Sequence, residues 1–106
     1  MYVQIVNFHL DGLTEDAYRK ACDELAPSYR EVPGLISKLW LPDPVSNTYG
    51  GVLTWESRAA MDAFATTELA RGVYGHPNFA EVTSRDFGVL EGPTRVTRGA
   101  AFPASA

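Results

Sequence analysis

At 106 residues, with 45% hydrophobic and 21% charged residues, the chain has the size and composition of one globular domain and not of a disordered segment. A net charge of −4 and a pI near 5.0 argue against nucleic acid, since phosphate binding needs clustered Lys and Arg and only Arg19-Lys20 are adjacent here. The single cysteine, Cys22, rules out an internal disulfide and offers no metal spacing. No apolar run reaches a membrane span and no charged-then-apolar leader precedes the first strand, so a cytoplasmic protein is expected.

Tyr2 to Leu10 reads as the first strand. Val3, Ile5, Asn7 and His9 share one face; Tyr2, Gln4, Val6, Phe8 and Leu10 share the other. Both faces are largely apolar, which predicts a central strand covered on two sides. One layer of two helices covers only one face of a four-stranded sheet, and a second copy of the chain is the simplest cover for the other. Asp11-Gly12 makes a turn and Thr14 caps the first helix, whose apolar stripe is Ala17, Tyr18, Ala21, Cys22, Leu25 and Ala26. Cys22 on that stripe reads as a small core residue. Pro27 predicts a kink or a second short helical piece through Arg30.

Pro33-Gly34 stops that helix, and Leu35 to Leu41 alternates as a strand, with Ile36, Lys38 and Trp40 on one face. Asp43-Pro44 and Asn47 to Gly51 carry turn chemistry, and Val52 to Trp55 resumes extended structure. Ser57 caps a second helix through Ala60, Met61, Phe64 and Ala65. Thr66 to His76, with Gly72, Gly75 and the following Pro77, is expected to fray into a loop. Phe79 to Leu90 is the last strand, with Phe79, Glu81, Thr83, Arg85, Phe87 and Val89 on one face. Gly92-Pro93 ends it, so residues 1–93 form the domain. Residues 94–106 form a C-terminal tail, mobile or laid across a neighbour. The order β-α-β-β-α-β is the ferredoxin-like α+β arrangement, with a four-stranded antiparallel sheet and both helices on one face.

No nucleophile elbow, P-loop, dinucleotide glycine pattern or paired-histidine metal motif is present, so no metal site is expected. The candidates are polar and aromatic groups near strand ends and loops. Asn7 and His9 interrupt an apolar strand; if their face meets the helices, they point into the space where a small ligand could sit. His76, in a glycine-rich loop, suits proton transfer at neutral pH if it covers a pocket mouth. Trp40, Trp55 and Phe64 are core or interface aromatics, or else a flat apolar wall for a planar ligand. Tyr49 and Tyr74 offer phenol hydroxyls to a substrate oxygen. Arg85 is a substrate contact or the partner of Glu81 or Asp86.

The run PGLISKLWLPDPVSNTYGGVLTWESRAAMDAF from Pro33 to Phe64, followed by the strand ending RDFGVLEGP, resembles the YdhR-type family of putative monooxygenases. Pro33-Gly34, Trp40, Gly50-Gly51, the Ser57-capped helix and Phe87 carry the resemblance, which reaches back through Asp11-Gly12. It implies a dimeric α+β barrel, two ferredoxin-like chains packed sheet to sheet. The wider superfamily includes monooxygenases that need no cofactor and oxidise polycyclic aromatic compounds. In these the substrate's own phenolate or carbanion reduces oxygen. By their chemistry, and not by a matched family motif, His9, Asn7 and His76 suit the catalytic roles, with Trp40, Tyr49, Trp55, Phe64, Tyr74 and Arg85 around a small aromatic ligand. Haem-degrading enzymes of the same superfamily use an Asn, a Trp and a His. Asn7 stands near the first position, but Phe64 and Tyr74 occupy the other two, which argues against that activity. The alternative is a non-catalytic homodimer that binds a small molecule or supports a partner enzyme. A pocket filled by Trp55 and Phe64 would favour it.

Overall fold

The structure is a computed structural model that describes residues 1–98. Strand β1 (Tyr2–Leu10) is followed by helix α1 (Glu15–Arg30), strands β2 (Leu35–Asp43) and β3 (Thr48–Trp55), and helices α2 (Arg58–Ala65) and α3 (Glu68–Tyr74). Strand β4 (Phe79–Gly88) and helix α4 (Glu91–Arg98) complete the described chain. The four strands form one antiparallel sheet in the order β2-β3-β1-β4, the ferredoxin-like topology, with β1 central as its two apolar faces predicted.

Local chemistry explains the helix starts. The Thr14 hydroxyl accepts the Ala17 N–H at 3.2 Å and the Ser57 hydroxyl accepts that of Ala60 at 3.1 Å, each satisfying an otherwise unbonded donor. Helix α1 runs unbroken through Pro27, which lies on the exposed side where water can take the bond that Pro cannot make. Helices α1, α2 and α3 cover one face of the sheet. The core between them holds Phe8, Tyr18, Tyr29, Leu53, Met61, Phe64 and the fully buried Trp55.

Four local expectations are corrected. Thr66–His76 is not loop throughout: Thr67 caps α3, Gly72 lies inside it and Gly75 ends it. Gly50 and Gly51 sit within β3 and not in the turn before it. Strict alternation along β4 fails at a bulge around Glu81, whose φ is 54°; the bulge shifts the register with β1 between Asn7 and His9 and returns Phe79 to the core side. Finally, residues 91–98 form α4 where the chain was read as strand end and tail; Pro93 is tolerated in its first turn because no intrahelical N–H bond is required there. The rest of the expected tail, residues 99–106, lies outside the described residues.

Among the described residues no helix covers the other face of the sheet. Direct pairing places Val3, Ile5, Asn7 and His9 of β1 beside Val52 and Thr54 of β3 and Arg85 and Phe87 of β4. Leu39 pairs with Val52, on the same side, and is 63% exposed.

Candidate functional site

The helix-facing side of the sheet does not close against its helices. A cavity of about 550 Å³ remains, within the range of small-molecule pockets. Val6, Phe8 and Gln4 of β1, Lys38 and Trp40 of β2 and the glycines of β3 form its floor. Tyr18, Cys22 and Tyr29 of α1 form one wall; Leu69, Val73 and Tyr74 of α3 form the other. The two glycines allow close approach at this floor. Gly50 has a φ of 144°, and a Cβ there would stand 1.8 Å from the Val6 carbonyl oxygen, so no side chain fits. A Cβ on Gly51 would stand 2.8 Å from Lys38 Cε, so its absence lets the lysine lie across the strand.

Lys38 is the most unusual group in the cavity. Its Nζ lies 3.6 Å from the centroids of both the Tyr29 and Trp40 rings, which meet edge to face at 5.2 Å. Burial pulls its ammonium down to about 8, while the two ring faces act in the opposite direction by favouring the charged form. Burial also pushes the Tyr29 phenol up to about 12 and the Tyr18 phenol higher still, so both remain protonated donors at neutral pH. The Cys22 thiol is raised by burial as well, which keeps it a poor nucleophile.

At the α3 end, the His76 ring stacks on Phe79 at 4.1 Å, and Phe79 stacks on Phe8 at 4.0 Å. His76 Nδ1 accepts the Asn78 N–H at 3.1 Å, so the neutral ring carries its proton on Nε2. The Asn78 side chain donates to the Asp11 carbonyl at 2.8 Å and fixes this loop to the turn after β1.

The candidates from the sequence divide between two faces and the core. His76, Trp40, Phe64 and Tyr74 line the cavity. Trp55 and Tyr49 are buried without lining it: Trp55 donates to Gln4 Oε1 at 3.1 Å, and the Tyr49 hydroxyl donates to the Glu15 carboxylate. That bond holds the Glu15 carboxyl below its usual range and the Tyr49 phenol above its own. Asn7 and His9 face away from the helices. Asn7 Nδ2 donates to the Tyr49 carbonyl at 3.4 Å; His9 Nδ1 donates to the Asn47 carbonyl at 2.7 Å, and its Nε2 lies 3.6 Å from Glu81. Arg85 shares their face and lies over the Phe87 ring at 5.4 Å. Lys38, Tyr18 and Tyr29 were not singled out from the sequence. The signal for Lys38 was a charged residue alternating onto the same face as Ile36 and Trp40. Among the described residues no group of three His, Cys, Asp or Glu side chains is placed to hold a metal ion.

A model of the family described as "Putative mono-oxygenase ydhR" matches residues 3–100. No curated protein sequence is significantly similar. Several solved structures share the fold. One is an antibiotic biosynthesis monooxygenase, 19% identical, covering 85% of this chain and 99% of its own, with a TM-score of 0.69. The haem degrader MhuD of Mycobacterium tuberculosis, with two haems in its active site, is 22% identical over 85% of this chain and 96% of its own, with a TM-score of 0.68. A protein of Deinococcus radiodurans titled as a putative antibiotic biosynthesis monooxygenase is 14% identical over 86% and 94%, with a TM-score of 0.67. At these identities the likeness establishes the architecture.

Proposed function

The chain belongs to the ydhR family of putative mono-oxygenases, and from that premise we propose that it oxidises a small aromatic or polycyclic phenolic compound in the helix-side cavity, without a cofactor. The observation that carries this reading is the cavity itself: about 550 Å³, walled by Trp40, Phe8, Phe64 and Phe79, with a few protonated donors at its edges. Neither Trp55 nor Phe64 fills it, which removes the feature that would have favoured a non-catalytic dimer.

A hydroxyanthrone-type substrate illustrates the chemistry. In solution its ring methylene gives a proton to water, so the compound enters as a delocalised anion that is also a phenolate. That anion gives two electrons to dioxygen and forms a C–O bond. The peroxide so formed takes one proton back from water at the cavity mouth, and the hydroperoxide then loses water as the second C–H breaks. The carbon becomes a carbonyl, one oxygen atom remains on it and the other leaves as water. All electrons come from the substrate. The protein holds the ring flat against its aromatic wall and excludes water. It places donors, the His76 Nε2–H and the Tyr18 and Tyr29 hydroxyls, around the dioxygen-derived oxygen on which negative charge develops. Fixed by Asn78, His76 serves as a donor and not as the initial base.

The open sheet face supports a homodimer. Val3, Ile5, Leu39, Val52 and Phe87 are apolar there, and a second copy packed sheet to sheet would cover them. Asn7 and His9 would then lie at the subunit interface and act by supporting the sheet. The cytoplasmic setting expected from the composition is part of the same proposal.

The test is oxygen uptake and quinone formation with hydroxyanthrones, using purified protein without additives. His76→Phe should lower kcat by roughly a hundredfold, the usual loss for one oxyanion donor. The Asn7→Ala, His9→Ala double variant should retain turnover. Full activity of a His76→Phe, Asn7→Ala, His9→Ala triple variant would remove all three residues from the mechanism.

A further inference from the structure

Among the described residues Lys38 is the only Lys or Arg lining the cavity, and no carboxylate of theirs comes within ion-pair distance of its Nζ. No hydrogen bond from its ammonium is made to any described residue either. The groups that can titrate around it are Cys22, Tyr18 and Tyr29 of α1, Glu68 and Tyr74 of α3, and His76. Glu68, in the first turn of α3, is the one carboxylate of this lining. A lysine placed only for packing would carry its head to water, as its long stem allows. Here the head is drawn inward and held between two ring faces, which stabilise the cation without neutralising it. Lys38 and Tyr29 also line a second, separate space of about 250 Å³ on the Arg30 side.

We propose that the Lys38 ammonium, clamped between Tyr29 and Trp40 in the cavity wall, is the site's anion-binding group, selecting aromatic ligands that carry an ionised oxygen conjugated with the ring. This rests on the cavity being the ligand site, as argued above, and adds to it the ionic form in which the ligand is held. Trp40 takes part in both tasks, as one face of the clamp and as the flat wall for the ring. The phenolate oxygen meets Lys38, and the apolar remainder extends along Phe8, Phe64 and Phe79. Stabilising the anion also raises the population of the species that reacts with dioxygen. Lys38 is therefore a specificity residue whose effect reaches the chemistry through the ligand's ionisation.

The experiment uses 2-hydroxyanthraquinone, a non-reacting phenol whose phenolate absorbs to the red of its neutral form, and its O-methyl ether. Each is titrated into the wild-type protein, Lys38→Met and Lys38→Arg. On the wild type the bound phenol should ionise about one pH unit lower than in water, and Lys38→Met should bind the phenolate about tenfold more weakly, the scale of one charge-assisted hydrogen bond. The ether should bind wild type and Lys38→Met within about twofold of each other, and Lys38→Arg should keep the phenolate preference. Equal loss of both ligands in Lys38→Met, or no lowering of the bound phenol's pKa in the wild type, overturns the inference while leaving the cavity reading intact. If neither compound binds the wild type, the cavity reading falls and this inference with it.

Discussion

Trp55 and Gln4 form the polar pin of an otherwise apolar core. The indole N–H of the fully buried Trp55 donates to Gln4 Oε1 at 3.1 Å, and Gln4 Nε2 donates to the Ser84 hydroxyl at 3.1 Å. Gln4 thereby ties β1 to both of its neighbours in the sheet. Replacing Gln4 by Leu leaves a buried indole N–H without a partner. It should cost about 1–3 kcal/mol in urea denaturation, part of which the Gln4→Leu, Trp55→Phe double variant should restore.

The glycines separate backbone necessity from spare space. Gly50→Ala forces a Cβ against the Val6 carbonyl at a φ of 144°, and should lower stability by more than about 3 kcal/mol or prevent folding. Gly72→Ala meets nothing within 4 Å and fills a helix interior, so it should raise stability by about 0.5–1 kcal/mol. Thermal unfolding of the two variants against wild type checks both signs.

Leu39, 63% exposed in the isolated chain, tests the sheet-to-sheet dimer. Leu39→Glu adds a charge to a face that would be covered, and should shift sedimentation from a dimer to a single 11.6 kDa species while leaving the far-UV spectrum unchanged. A wild-type protein that sediments as a monomer at micromolar concentration would contradict the paired barrel.

Lys38 makes stability depend on pH in a defined direction. Its folded-state pKa is pulled below the unfolded value of 10.5 to about 8, so the unfolded chain binds more protons between those limits and stability rises with pH across them. The charged side chain is a net cost below that window. Lys38→Met should therefore be more stable than wild type at pH 7, by on the order of 1–3 kcal/mol, and the difference should shrink between pH 8 and 10.5. Parallel denaturation curves at pH 7 and pH 10 read it out.

The framework of the fold was legible because its signals are local and periodic. Alternation in β1, the Thr14 and Ser57 caps and the Pro33-Gly34 stop each act over a few residues. The misses share a cause of the opposite kind. Gly50-Gly51 has the composition of a turn, and only the approach of the Val6 carbonyl from the next strand makes it part of β3. The bulge at Glu81 has no glycine to announce it, and it alone moves Phe79 to the helix side. The site was half legible for the same reason. His76, Trp40, Phe64 and Tyr74 were found as aromatic or imidazole groups near element ends, but which strand face met the helices is a tertiary fact. That fact separates Asn7 and His9 from the cavity and brings Lys38 into it.

The most direct test of the cavity as an oxygenase site is single-turnover oxidation of a bound hydroxyanthrone under isotopically labelled dioxygen, with no added cofactor. An oxygenase site gives a quinone carrying one labelled oxygen, one labelled water per molecule oxidised, and a rate well above autoxidation that falls in His76→Phe. A ligand that binds in the cavity yet oxidises no faster than in buffer, or a product without label, would contradict it and leave a binding protein.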